Sequence, residues 1–166
     1  ASGDNYVNMH TTTNPSGESR GQMMTANVAI MTFPIEVSRE VPDVSKMASG
    51  DGYMIVDTNS LSAELVALTQ GVEDANMAHI HAGRIGSKGS VLVALEQSLD
   101  DANVWNSPDE FVLDVATFEV LAAGGHYVNV HTPNNPSGEL RGQILTDEYV
   151  LATFPLQGSQ EVPAVS

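Results

Sequence analysis

Short runs in which apolar and polar residues alternate recur along the chain: GYMIVD from Gly52, AELVALTQG from Ala63, AHIHAG from Ala78, SVLVALEQ from Ser90, EFVLDV from Glu110, HYVNVHT from His126, ELRGQIL from Glu139 and YVLATFPLQG from Tyr149. Alternation with β-branched residues predicts strands with one buried face. Between them lie clusters of Gly, Asn, Ser and Pro such as GRIGSKG and TPNNPSG, whose turn chemistry separates one strand from the next. Several short strands at this spacing predict an all-β, antiparallel Greek-key sandwich of the superoxide dismutase or immunoglobulin kind. One stretch, ATFEVLAAGG from Ala116, predicts a short helix stopped by Gly124 and Gly125.

The strand from Tyr127 to His131, its turn and the returning strand also occur near the start of the chain. YVNVHTPNNPSGELRGQ begins at Tyr127, and YVNMHTTTNPSGESRGQ begins at Tyr6. A shift of 121 positions aligns residues 5–45 with 126–166 without a gap, and 23 of the 41 aligned positions are identical. The aligned elements include both NPSG turns, TFP at Thr32 and Thr153, and EVP at Glu40 and Glu161. A repeat of this length is domain-sized. The expected organisation is therefore a complete unit at 33–147, the C-terminal part of a preceding unit at 1–31 and the N-terminal part of a following one at 150–166. Two explanations stay open: a segment of a longer tandem protein, or end strands completed by neighbouring molecules.

Composition narrows the function. The 166 residues carry six Lys and Arg against 21 Asp and Glu, a formal charge of −15. Such a surface repels phosphate backbones and anionic lipid, so no nucleic-acid partner is expected. It attracts cations, calcium among them, although no calcium-loop motif is present. No apolar run is long enough for a membrane span. With no cysteine, disulfides, thiolate metal sites and cysteine nucleophiles are excluded.

The histidines offer the chemistry. His79 and His81 stand two apart in a strand pattern, so their rings project from one face, as two imidazoles converging on a metal require. His131 lies on another strand and recurs as His10, completing the candidate metal set. Imidazoles without a thiolate suit copper or zinc. Glu40, Glu139 and Arg141 recur as Glu161, Glu18 and Arg20; carboxylates repeated with a scarce arginine predict a structural ion pair, partly buried. No nucleophile with a base at readable spacing and no phosphate loop appears, and the expected class is non-enzymatic.

EVPDVS at Glu40, AHIHAGRIGSKGSVLVAL at Ala78 and YVNVHTPNNPSGELRGQI at Tyr127 resemble, in order, the signature blocks of the chordin-type (CHRD) domain. Asp43 stands where that pattern commonly has a second proline. The resemblance implies an extracellular or cell-surface domain with a sandwich fold. A weaker likeness connects the His-x-His strand, the V-x-V-H strand and the Gly-x-x-Arg-Gly hairpin to the copper half of copper-zinc superoxide dismutase. It implies His79, His81 and His131 as copper-type ligands with Arg141 beside an open position. The zinc-ligand loop and disulfide cysteines of that enzyme are missing.

The combined expectation is an extracellular structural repeat domain of a fibre, surface layer or adhesive protein, holding a metal through histidines and self-associating through end strands or neighbouring repeats. A metal-handling or dismutase-like copper module is the second expectation. A binding domain for secreted protein ligands is the third.

Overall fold

The computed structural model describes residues 6–22, 27–41 and 47–146. Two bodies of sheet are present. The first is a two-stranded hairpin of β1 (Tyr6–Met9) and β2 (Ser19–Gln22). The second is a closed antiparallel barrel of eight strands: β3 (Val28–Glu36), β4 (Ser49–Asp57), β5 (Ala63–Gln70), β6 (Met77–Ala82), β7 (Val91–Gln97), β8 (Val104–Asn106), β9 (His126–His131) and β10 (Leu140–Ile144). Around the barrel their order is β10-β3-β4-β5-β8-β7-β6-β9.

The all-β antiparallel expectation holds, but the strands close on themselves instead of forming two separate facing sheets. Closure is thin at two seams. β10 meets β3 in register only at Arg141↔Glu36, and the short β8 bridges β5 through Val66↔Asn106 to Leu68↔Val104 and β7 through two pairs. Pro34 explains the first seam. Proline has no N–H to give to a ladder, and the carbonyl of Pro34 lies on the side where β10 approaches. Gly142 makes that approach possible, since a Cβ there would press on Phe33, Ile35 and the Pro34 carbonyl.

The interior follows from alternation. Met31, Phe33 and Ile35 of β3, Met54 and Val56 of β4, Leu65 and Ala67 of β5, Ala78 and Ile80 of β6, and Val128 and Val130 of β9 are buried in one apolar cluster. Trp105 from β8 and Leu140 and Ile144 from β10 join it. The residues between them on β6, β9 and β10 point outward, and those strands therefore present a second, polar face.

Three local expectations need correction or limits. EFVLDV is not a strand: Val112 makes one isolated bridge to Ser62, and Glu110 sits at φ 58. Its Leu113 is buried all the same, which is why the run reads as apolar. VWN, the actual β8, is too short to show a period. The helix, α1, spans Val115–Ala122, starting one residue before the expected Ala116 because the Asp114 carboxylate accepts from the Thr117 N–H at 2.6 Å. YVLATFPLQG, the 150–166 segment and Glu161 lie outside the described residues.

The N-terminal hairpin repeats the geometry of β9 and β10 as well as their sequence. Tyr6 pairs with Gln22 as Tyr127 pairs with Gln143. Arg20 lies over the Tyr6 ring at 3.7 Å, and Arg141 over the Tyr127 ring at 3.5 Å. Yet Val7 is 55% exposed, whereas its counterpart Val128 is fully buried.

Candidate metal centre

The outward face of β6, β9 and β10 is a grid fixed by register. Met77 lies opposite His131, His79 opposite Asn129, and His81 opposite Tyr127. Across the next pair, Asn129 lies opposite Arg141 and Tyr127 opposite Gln143. Two turns fold over this polar face: 83–90 after β6 and 132–139 between β9 and β10.

His79, His81 and His131 come together as the sequence predicts. Each offers a nitrogen, and these atoms lie within 4.8 Å of one another. Nδ1 of His79 is 3.0 Å from Nε2 of His131, and the rings stand 4.9 to 6.0 Å apart between centroids. His10 is exposed on the β1–β2 hairpin and is not in the cluster, although its Nδ1 meets the Pro15 carbonyl as that of His131 meets Pro136. His126 alternates to the interior side with Val128 and Val130.

Backbone carbonyls orient two of the three rings. Nδ1 of His81 is 3.0 Å from the Gly89 carbonyl oxygen, and Nδ1 of His131 is 3.2 Å from that of Pro136. A carbonyl only accepts, so each Nδ1 carries the proton and each Nε2 keeps its lone pair. Nε2 of His81 is buried with no hydrogen-bond partner. A buried polar atom left in that state is costly, and a metal ion is the partner that an imidazole so oriented can bind. Burial and the neighbouring His81 hold His79 below the usual imidazole range; burial and His79 do the same for His131 against the opposing bond to Pro136. Neutral rings are the ligating form.

Arg141 supports this arrangement. Its guanidinium, 2% exposed, donates to the carbonyls of Ser87 and Arg84 at 2.9 Å each and also reaches Gln143. Gln143 in turn holds the carbonyls of Gly83, Gly124 and His126. The 83–90 turn is thereby pinned, and at its end Gly89 donates to the Tyr127 hydroxyl while its carbonyl accepts from His81. A side chain at Gly89 would overlap the Ala82 carbonyl. Tyr127 also stacks on His81, with centroids 5.0 Å apart and planes 10° apart.

Glu40 and Glu139 are buried acceptors of side-chain hydrogen bonds. Glu40 is buried; it accepts from Asn129 at 2.8 Å and from the Val41 N–H at 3.0 Å, and it acts on Arg141 as a nearby negative charge. Burial pushes its carboxyl up, against those bonds and that charge. Glu139 is buried and accepts from Thr132 and Asn135 at 2.7 Å, which ties the 132–139 turn together. Glu18 makes the corresponding bonds to Thr11 and Asn14. Sequence reasoning missed the carbonyl partners of Arg141, the Tyr127 stack and the role of Gly89, because each is a contact between distant segments with no local pattern.

These observations define an all-β barrel domain whose outer face gathers three histidines and the buried polar residues that orient them. The CHRD domain family model matches residues 31–144, more than half of the chain, and the chain belongs to that family. Of its motif blocks, Glu40, the 78–90 segment and the hairpin from Tyr127 to Ile144 meet on this face. No curated protein and no solved structure matches the chain.

Proposed function

We propose that this chain is an extracellular structural repeat domain, part of a fibre, surface layer or adhesive protein, in which a metal held by His79, His81 and His131 ties β6 to β9. The observation that carries the metal reading is the buried, unpartnered Nε2 of His81, oriented by the Gly89 carbonyl beside two further imidazoles. Nitrogen donors without a carboxylate in the cluster suit copper or zinc and not calcium. The structural use is favoured over a dismutase-like one because Arg141 spends its donors on carbonyls instead of standing free beside an open position. The extracellular setting is supported by membership of the CHRD family. No described helix is long and apolar enough to cross a membrane.

Assembly is supported by the N-terminal hairpin, which has the register of the barrel's closing hairpin while Val7 and Met9 remain exposed. The test of the metal reading is metal analysis of purified protein followed by melting with and without EDTA. One copper or zinc per chain and a lowered melting temperature after chelation are expected.

A further inference from the structure

We propose that Met77 supplies a fourth, thioether donor to the histidine cluster and makes it a copper centre able to hold Cu(I). The inference rests on the histidine reading and adds the identity of the metal.

Position is the first argument. Met77, His79 and His81 alternate onto the outward side of β6, while Ala78 and Ile80, each 1% exposed, point into the core. Met77 is also the register partner of His131 on β9. Directly opposed residues place their Cβ atoms about 4.5–5.5 Å apart, so the methionine stem flanks the imidazole that already lies 3.0 Å from His79. Four side chains of two neighbouring strands, Met77, His79, His81 and His131, thus share one patch of the sheet.

Chemistry is the second. Met77 is 44% exposed although it is apolar, and it sits beside a polar cluster with the core on the other side of its strand. Core packing does not account for it there. Methionine is unbranched, with three rotatable bonds and a polarizable sulfur, so its sulfur can swing toward a metal on the neighbouring rings. Three borderline imidazoles gain one soft donor in the thioether. Copper, above all Cu(I), prefers it, whereas zinc gains little from a thioether. The acidic surface draws cations of either kind toward the site.

The test compares wild type with Met77→Leu, a swap that keeps volume and apolar character. Cu(I) affinity is read by competition with a chromophoric Cu(I) chelator, Zn(II) affinity by competition with a zinc dye, and the metal's neighbours by copper-edge X-ray absorption. Expected for Met77→Leu is a loss of at least about tenfold in Cu(I) affinity, the lower end of what disturbing even an outer-shell group produces. Zn(II) affinity should stay within about twofold. A sulfur neighbour should be seen in wild type and be absent from the variant. Equal Cu(I) affinities in the two proteins, or no sulfur near copper in wild type, overturn the Met77 assignment and leave the histidine site standing. A wild-type protein that binds neither copper nor zinc overturns both.

Discussion

Nδ1 of His81 lies 3.0 Å from the carbonyl oxygen of Gly89, and Nε2 of the same ring is buried without a partner. One hydrogen bond therefore fixes the tautomer of this imidazole and aims its free lone pair. Gly89 is where β6, the 83–90 turn and Tyr127 are joined, and it reports on the whole centre.

Gly89→Ala tests that junction. The added methyl would overlap the Ala82 carbonyl, and forcing the turn apart costs about 1–3 kcal/mol by the usual scale of overpacking. The midpoint of urea unfolding falls, and metal affinity falls with it. An unchanged affinity would show that the Gly89 carbonyl does not orient His81.

Arg141→Met removes the charged hydrogen bonds to Ser87, Arg84 and Gln143 and leaves the first two carbonyls without this donor. A loss of about 3 kcal/mol is expected from the cost of bonds to charged groups, measured by chemical denaturation. Metal affinity should drop about 10- to 100-fold, as for other orienting groups around a metal. Arg141→Lys keeps the charge but not the fork and should recover part of the stability without restoring the affinity.

The metal-free protein should be less stable in mild acid. His79 and His131 are held below their ordinary value of 6.5 by burial. Between that value and their lower folded values the unfolded chain binds more protons than the native one, so stability rises with pH there. Their contribution is present above pH 6.5 and is lost as pH falls through the folded values. His79→Gln should flatten the melting temperature between pH 7 and 5, and an unaltered slope would contradict the assignment. Bound metal should be released over the same acidic range, because protons compete for the nitrogens.

End-strand assembly predicts that the protein self-associates as its concentration rises, and that Val7→Lys with Met9→Lys suppresses this by placing charges on the exposed face of the hairpin. Sedimentation velocity reads the outcome. A wild-type chain that remains monomeric at high concentration would remove support for assembly through this hairpin.

Much of the centre was legible in the sequence because it depends on strand alternation. His79 and His81 share a face by their spacing, and the repeat marked His131, Arg141 and the turn between them. Alternation could not show that β10 reaches β3 beside Pro34, or that three residues around Trp105 complete the barrel, since a three-residue strand carries no period. It also misled at Glu110 to Val115, where Leu113 is buried from a connecting segment that bonds to the Leu61 carbonyl and is not a strand. Arg141 feels the charge of Glu40, and it also donates to the carbonyls of Ser87 and Arg84, which sequence does not distinguish from other carbonyls.

The most direct measurement is the melting temperature of the EDTA-stripped chain titrated with copper and, separately, zinc, in wild type and in a His131→Asn variant. Copper or zinc at about 100 times its dissociation constant should stabilise wild type by about 2.7 kcal/mol, a rise of about 5–10 °C for a chain of this size. His131→Asn should lose most of that rise while melting cooperatively without metal. No bound metal and no shift in wild type with either ion would contradict the account.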